Sequence, residues 1–169
     1  LITSTATKTE QVVPINDFLK DSQDLHREFF AFGTLYPEMP EDAMEREVDR
    51  LLQLGLYGIK LHPDFARIPA DSPGMLRIAR RVAGKLPVLI HAGDPRYDFS
   101  NPDRILRLLE SAPPEFTLIA AHFGGYQVWE EAASKLTGRF PNLYVDTCST
   151  LAFLSPSYAV ELIGLYGED

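Results

Sequence analysis

The chain has 169 residues, of which 45% are hydrophobic and 24% are charged, as in a soluble globular protein with one sizeable core. Sixteen basic against 24 acidic residues give a net charge of −8, which argues against a nucleic-acid binder and against a protein of anionic membrane surfaces. No apolar run approaches the roughly 20 residues that span a bilayer. We therefore expect a small-molecule substrate, with neither nucleic acid nor membrane as a partner.

Strand and helix patterns alternate along the chain. Short apolar runs predict strands at 28–35, 57–62, 87–91, 116–121 and 142–146. Amphipathic patterns predict helices within 37–55, 71–84, 101–112, 127–137 and 155–167. Three of these helices open with a capping residue followed by proline, at Ser72-Pro73, Asn101-Pro102 and Ser155-Pro156.

Five strand–helix units in regular alternation predict an α/β fold in which helices cover a parallel sheet. An open doubly wound sheet and a closed eight-stranded barrel both satisfy this pattern. No glycine-rich phosphate motif follows any of the strands, which disfavours the nucleotide-binding open sheets.

Titratable side chains stand at the ends of the predicted strands. Lys60, His91 and His122 are separated by successive spacings of 31 residues, about the length of one strand–helix–strand repeat. His62 and Asp146 also stand at strand ends. Parallel barrels project such residues into a common mouth, so we expect these five side chains to converge.

The hypothesis of a metal site or a general base rests on two histidines. His91 and His122 each follow a run of residues predicted to be buried, and each precedes a small or glycine-rich segment. Neutral imidazole ligates zinc and similar metals and transfers protons near neutral pH. The pair therefore predicts a partial metal site, or one ligand beside a general base; the alternative is two core histidines bonded to backbone carbonyls. Lys60 can bind a substrate carboxylate, carry a carbamate that bridges two metals, or simply reach solvent.

Further candidates lie in the loops after these strands. Asp94 and Arg96 can contact substrate or orient His91, or they form an ordinary surface ion pair. His62 can line the site or cap its loop, and Asp146 can accept a hydrogen bond from substrate or cap its own loop. We take His62, Asp94, Arg96 and Asp146 as candidate substrate-binding residues. The single cysteine, Cys148, excludes an internal disulfide, fits a reducing cytoplasmic compartment, and has little support as a nucleophile.

The segments GIKLHPDF, PVLIHAGD, LIAAHFGG and NLYVDTCST, in this order and spacing, resemble the amidohydrolase superfamily. They are most similar to its TIM-barrel metal-dependent hydrolases, a branch that includes the aminocarboxymuconate-semialdehyde decarboxylase-like enzymes. The resemblance runs from about residue 28 to the end of the chain. It implies a (β/α)8 TIM barrel, with residues 1–169 forming one partial amidohydrolase-like domain.

The resemblance also implies roles for three residues. His91 matches the metal ligand of the fifth strand. His122 matches the histidine of the sixth strand, which binds a second metal in binuclear members and acts as catalytic acid or base in mononuclear decarboxylases. Lys60 falls on the fourth strand, where binuclear relatives place a carbamylated lysine. The implied assignment is therefore His91 and His122 as metal ligands, with His122 and Lys60 as catalytic residues.

The sequence departs from the family pattern in two respects. It contains neither the His-x-His pair of the first strand nor the eighth-strand aspartate. A complete barrel takes about 250 residues, so we expect further strands beyond these ones. The unpaired edge strands of an open sheet can pair with strands of another chain. We therefore expect this chain, expressed alone, to self-associate as a homo-oligomer.

The functional expectation is hydrolysis of a small amide, ester or lactone by metal-activated water. The metal is expected to be zinc, with manganese or iron as alternatives. Two other functions stay open: decarboxylation of a small unsaturated or aromatic carboxylate, and a non-catalytic binding module derived from the barrel.

Overall fold

The structure is a computed structural model, and it describes residues 1–167. The strands are β1 (Ile2–Thr3), β2 (Ala31–Thr34), β3 (Gly58–Leu61), β4 (Val88–Ile90), β5 (Leu118–Ala120) and β6 (Leu143–Val145). The helices are α1 (Val12–Leu25, after a 3-10 turn at Thr9–Gln11), α2 (Glu41–Leu54), α3 (Pro63–Ala66), α4 (Pro73–Val82), α5 (Pro102–Ser111), α6 (Trp129–Leu136) and α7 (Pro156–Tyr166). Within this range, no helix combines the length and the apolar character needed to cross a membrane.

The six strands form one sheet in the order β1-β2-β3-β4-β5-β6, and every neighbouring pair is parallel. A doubly wound open sheet reverses its strand order at a switch point. In a barrel, by contrast, strands that follow one another in the chain are neighbours throughout. The unbroken order therefore favours the barrel over the open sheet.

The two faces of the sheet bury different residues. The face toward the helices carries most of the core and includes Ile59, Val88, Ile90, Leu118 and Ala120, each at most 1% exposed. The opposite face carries a smaller apolar cluster of Phe32, Leu89, Ile119 and Ala121. Because side chains alternate between faces along a strand, a residue next to a helix-facing position points to this inner face.

The helix ends form as their sequences predict. Ser72, Asn101 and Ser155 each accept a hydrogen bond from the backbone N–H three residues on, ahead of a proline at the first helical position. Each such cap contributes about 1 kcal/mol. Gly55 ends α2 in the left-handed conformation (φ 69°), which glycine adopts without steric penalty.

The N-terminal strand and helix were not predicted from the sequence. β1 is only two residues long, and α1 depends on tertiary contacts of a buried polar residue. Asn16 in α1 accepts a hydrogen bond from Thr34 N (2.7 Å) and donates to Thr34 O (3.0 Å) and to Glu47 Oε1 (2.7 Å). This side chain joins α1 to β2 and α2, a link that no local pattern reveals.

Candidate active site

Strand register explains why the candidate side chains lie together. Thr34, Lys60, Leu89, Ile119 and Tyr144 are register partners across five strands, and Leu89 and Ile119 lie in the inner cluster. Lys60 therefore points to the inner face. Because side chains alternate between the two faces of a sheet, the residue two positions later along each strand points to the inner face as well.

The next inward positions are occupied by His62, His91 and Asp146. The rings of His62 and His91 stack with centroids 3.9 Å apart and an interplanar angle of 11°. His62 and His91 therefore converge as expected, and His122 lines the same cleft, whereas Lys60 and Asp146 are not among its lining residues.

His122 also lies at this inner site, but a backbone turn and not strand alternation directs its side chain there. It stands one position beyond the inward-facing Ala121, so a continued strand would direct it outward. Instead His122 and Phe123 adopt positive φ values of 63° and 53°, a conformation that costs a non-glycine residue about 1–2 kcal/mol. The Oδ1 atom of Asp146 holds this turn by accepting from His122 N (2.9 Å) and Cys148 N (3.1 Å). Asp146 thus caps the loop, which is one of its two predicted roles.

The hydrogen-bond partners determine which nitrogens of the two rings carry hydrogen. His122 Nδ1 lies 2.7 Å from the carbonyl oxygen of Cys148, which can only accept. Nδ1 therefore carries the hydrogen, and Nε2 has the lone pair. His122 Nε2 lies 3.0 Å from His91 Nδ1, so His91 donates from Nδ1 and its own Nε2 is left unprotonated. Burial, together with the nearby charges of His122 and Lys60, lowers the pKa of His91 to about 4, in agreement with a neutral ring.

Asp64 is a site residue that the sequence reasoning missed. Its side chain is 1% exposed, and its Oδ2 lies 3.4 Å from His91 Nε2. The two atoms are close enough for an ion pair but are not aligned as a hydrogen bond, and Asp64 Oδ1 and His91 Nε2 have no hydrogen-bond partner among residues 1–167. Burial raises the pKa of Asp64, as does the charge of Asp94, whereas a hydrogen bond from Ser100 opposes this. The available signal was an acid two residues after the strand-end histidine in LHPDF.

His62 fills both of its predicted roles. Its ring lies between those of Phe65 (3.7 Å, 3°) and His91. Its Nδ1 also accepts a long hydrogen bond from Phe65 N (3.4 Å) and thereby caps α3. Burial, reinforced by neighbouring imidazoles, lowers the pKa of His62 to about 3, so the ring is neutral at physiological pH.

Asp94 and Arg96 form an ion pair at the rim of the same cleft. Arg96 donates from Nε (2.9 Å) and Nη2 (2.6 Å) to the two carboxylate oxygens of Asp94. The Arg96 guanidinium lowers the pKa of Asp94. Asp94 is buried, whereas the Arg96 side chain is 71% exposed. The ion pair therefore links a buried carboxylate to a guanidinium in solvent.

Lys60 and Cys148 lie beneath and beside the histidines. Burial lowers the pKa of Lys60, and the nearby charge of Asp146 opposes that change. Cys148 Sγ lies 3.2 Å from His122 Nδ1. Burial, followed by the hydrogen bond and charge of Asp146, raises the pKa of this thiol to about 12. The thiol therefore stays protonated near neutral pH, which leaves it a poor nucleophile.

A cleft of about 280 Å³ lies at the carboxyl ends of β3, β4 and β5. It is lined by His62, Asp64, Phe65, His91, Asp94, Arg96, Tyr97, His122, Tyr126 and Ser149. A larger hollow of about 360 Å³ lies between α2 and α4 on the outer surface, away from the strand ends. The titratable residues therefore identify the smaller cleft as the candidate site.

Two sets of side chains have the spacing of metal ligands, with candidate donor atoms within 4.8 Å of one another: His62, Asp64 and His91, and His122, Asp146 and Cys148. In the second set His122 Nδ1 and Asp146 Oδ1 are already hydrogen-bonded within the loop. In the first set His91 Nε2 and Asp64 Oδ1 are buried and unpartnered. Imidazole nitrogen and carboxylate oxygen are both ligands of zinc and similar cations, so the first set fits a divalent cation.

Comparison with known proteins identifies the family of the chain. The chain matches a family model described as amidohydrolase over residues 5–169. No curated protein matches it in sequence.

Solved structures with this fold are TIM-barrel proteins of low sequence identity. They include 5-carboxyvanillate decarboxylase LigW from Sphingomonas paucimobilis (17% identity, TM-score 0.68, covering 94% of this chain and 59% of that one). An uncharacterized TIM-barrel protein, Bb4693 from Bordetella bronchiseptica, is also similar (19%, TM-score 0.62, 78% and 48%). A third is 5-carboxyvanillate decarboxylase from Novosphingobium aromaticivorans, complexed with manganese and 4-hydroxy-3-methoxy-5-nitrobenzoic acid (21%, TM-score 0.56, 80% and 48%). The chain therefore has the predicted TIM-barrel fold and spans 48% to 59% of the length of these structures.

Proposed function

Because this chain belongs to the amidohydrolase family, we propose that it carries the metal-binding and proton-transfer groups of an enzyme that hydrolyses a small amide, ester or lactone. The observation that carries the proposal is the hydrogen bond from His122 Nδ1 to the Cys148 carbonyl (2.7 Å). It leaves a basic Nε2 beside a second strand-end histidine, an arrangement suited to proton abstraction from water.

His91 is the proposed metal ligand, through its unpartnered Nε2. A bound divalent cation would supply a Lewis acid that polarises the substrate carbonyl and lowers the pKa of water. Zinc suits imidazole and carboxylate ligands, and manganese is supported by its presence in one of the similar decarboxylase structures. Zinc normally has four ligands, so the site requires donors beyond His91.

His122 acts as the general base in this proposal. The attacking water takes the place of His91 as the donor to His122 Nε2, and gives its proton to that nitrogen as its oxygen bonds to the carbonyl carbon. The carbonyl of Cys148 keeps its hydrogen bond to Nδ1 and favours the imidazolium that results. His122 then returns the proton to the leaving group, which restores the neutral ring.

Substrate recognition is assigned to Lys60, which points to the inner face of the sheet but is not among the residues lining the cleft, and to the remaining cleft side chains. Among residues 1–167 no carboxylate lies within ion-pair distance of Lys60, so its ammonium group can bind a carboxylate or a developing oxyanion of the substrate. Arg96 remains largely exposed at the rim while it is tied to Asp94. The aromatic faces of Phe65 and Tyr126 line the cleft and favour a flat substrate group.

Decarboxylation of a small aromatic carboxylate is a second candidate, favoured by the aromatic lining and by two similar structures that are 5-carboxyvanillate decarboxylases. In that reaction His122 Nε2 first takes up a proton from solvent. The bond to the carboxylate carbon then breaks, carbon dioxide leaves, and His122 donates that proton to the ring carbon. Lys60 would bind a second anionic group of the substrate.

The two candidates differ in their products. The intact protein, loaded with zinc or manganese, can be supplied with panels of lactones, esters and amides and of aromatic carboxylates, while acid release and carbon dioxide release are recorded. We expect acid release that is abolished by a chelator and strongly reduced by His122→Ala. Carbon dioxide release with the same dependence would replace hydrolysis by decarboxylation. A metal-loaded protein inactive toward both panels would contradict both candidates and favour a binding module.

A further inference from the structure

We propose that Asp64 is a second protein ligand, beside His91, of the divalent cation in this cleft. The proposal deepens the function proposed above, since it rests on the assignment of His91 as a metal ligand. The comparisons and the sequence motifs assign no role to Asp64.

The lone pair of His91 lies on the ring nitrogen that is next to Asp64. The Cys148 carbonyl makes His122 Nδ1 a donor, His122 Nε2 then makes His91 Nδ1 a donor, and His91 Nε2 is left with its lone pair. That nitrogen lies 3.4 Å from Asp64 Oδ2. Two electron-rich atoms therefore face each other at a distance at which both can bind one positively charged group.

The distance between His91 Nε2 and Asp64 Oδ2 is compatible with one cation bound to both atoms. Ligand atoms about 2.0–2.1 Å from a tetrahedral zinc lie about 3.3–3.4 Å from each other. The separation of His91 Nε2 and Asp64 Oδ2 is 3.4 Å, whereas the hydrogen-bonded pair His91 Nδ1 and His122 Nε2 is closer, at 3.0 Å. The separation of His91 Nε2 and Asp64 Oδ2 is therefore compatible with both atoms binding one ion.

Asp64 is buried without a positively charged partner among residues 1–167. The Asp64 side chain is 1% exposed and its Oδ1 atom has no hydrogen-bond partner among residues 1–167. His91 is the only basic side chain in that range within ion-pair distance of Asp64, and its ring is neutral. The hydrogen bond with Ser100 does not neutralise the charge of this buried carboxylate, which is unfavourable without a positively charged partner. A cation bound between the two residues would supply that partner.

Ser100 holds Asp64 in position. Its hydroxyl contacts Asp64 Oδ2 and lies 2.8 Å from the carbonyl of Gly93, two residues after His91. This contact connects the loops after β3 and β4, so the carboxylate and the imidazole are oriented before any cation arrives. Such preorganisation is typical of metal ligands supported by outer contacts.

Asp94 provides a contrast within the same cleft. It is also buried, but both of its oxygens accept hydrogen bonds from Arg96. Its negative charge is therefore already compensated, so it serves as a matched control in which an equal charge is removed from the same cleft.

The test is a zinc titration of the intact, metal-stripped protein by calorimetry at pH 7, with wild type, Asp64→Asn, Asp94→Asn and His91→Ala. We expect Asp64→Asn to weaken zinc binding by more than about tenfold, while Asp94→Asn stays within about threefold of wild type. Cobalt(II) added to Asp64→Asn should show a visible absorption spectrum different from that of wild type, because one ligand of the ion has changed.

A second readout separates ligation from a structural role. The side-chain amide that Asp64→Asn introduces can donate to His91 Nε2, so thermal unfolding of this variant without metal should occur at or above the wild-type temperature. Weaker zinc binding together with a clearly lower unfolding temperature of the metal-free variant would overturn the proposal. So would wild-type zinc affinity and a wild-type cobalt spectrum in Asp64→Asn; if His91→Ala then still loses zinc, the proposed function stands. Zinc binding unchanged in His91→Ala would overturn that function as well.

Discussion

His91 Nδ1 and His122 Nε2 lie 3.0 Å apart, although the two residues belong to successive strand–helix units of the barrel. The contact depends on the left-handed turn at His122, which brings that ring back toward the inner face. One histidine thereby orients the other: His91 is left with a free Nε2 for a cation, and His122 has the basic nitrogen.

Replacing His122 with alanine separates proton transfer from metal binding. General acid–base groups contribute about 10²–10⁴-fold to rate, so His122→Ala in the intact enzyme should lower kcat by that amount. His91 and Asp64 keep their positions in this variant, so the metal content per chain should stay at the wild-type value. Elemental analysis beside steady-state kinetics checks both. Loss of the metal in His122→Ala would contradict a role of His122 confined to proton transfer.

Asp146 supports the turn at His122 through one carboxylate oxygen, which accepts from two backbone N–H groups. Asp146→Ala removes both hydrogen bonds and should destabilise the fold by about 1–3 kcal/mol, with a loss of activity because the His122 ring is no longer positioned. Asp146→Asn keeps an oxygen that can accept both bonds, so its unfolding temperature should lie close to wild type. Equal stability of the alanine and asparagine variants would contradict the loop-capping role.

Asp71 links stability to pH through its ion pairs with Arg104 and Arg107. Burial favours a raised pKa of Asp71, but hydrogen bonds from Arg107 and Arg104 outweigh it and lower the pKa overall. A carboxyl group with a depressed pKa in the folded state stabilises the protein above its unfolded pKa of about 3.9, and this contribution is lost as the pH falls through the folded value. Asp71→Asn should therefore lower the free energy of unfolding at pH 7 by about 1–3 kcal/mol.

The control for Asp71 is Asp42→Asn, which removes a carboxylate from a solvent-exposed pair with Arg46. Exposed pairs contribute little, so this variant should unfold like wild type. Chemical denaturation at pH 7 and at pH 3 provides the comparison. A deficit of Asp71→Asn that is just as large at pH 3 would show that the ion pairs are not its cause.

Gly93 allows two loops to approach closely at the base of the cleft. Its φ is 81°, and a Cβ atom there would lie 2.3 Å from Tyr126 N and 2.5 Å from Gly125 C. Gly138 has a similar φ of 66°, but a Cβ atom added to it would meet no atom within 4 Å. Gly138→Ala should cost about 1 kcal/mol of backbone strain, whereas Gly93→Ala should cost more and reduce metal binding, because the loop that follows His91 must move. Equal effects in unfolding experiments would contradict this close approach.

Much of the fold was predictable from the sequence because its signals are local. The five predicted strands contain β2 to β6, and the Ser72, Asn101 and Ser155 caps form as expected. Regular alternation indicated parallel strands, and hence side chains meeting at their carboxyl ends. In contrast, α1 depends on Asn16, whose partners lie in β2 and α2.

The site was predictable in position but not in detail. Strand-end histidines identified the cleft, yet the approach of His122 to His91 requires a left-handed turn that begins at the two non-glycine residues His122 and Phe123, before Gly124. The proposal that Asp64 is a metal ligand rests on its burial and on its distance to His91. Both are properties of the tertiary structure. Asp94 could be an ion-pair partner or a substrate ligand by sequence, and only the hydrogen bonds from Arg96 show that the ion pair forms.

The central claim is that His91 Nε2 binds a divalent cation at the inner edge of this cleft. Anomalous diffraction at the zinc absorption edge, from crystals of the intact protein grown with zinc, tests it most directly. We predict an anomalous peak about 2.0–2.1 Å from His91 Nε2, with an Asp64 oxygen within the same distance. Zinc bound elsewhere in the protein, with no peak next to His91, would contradict the claim.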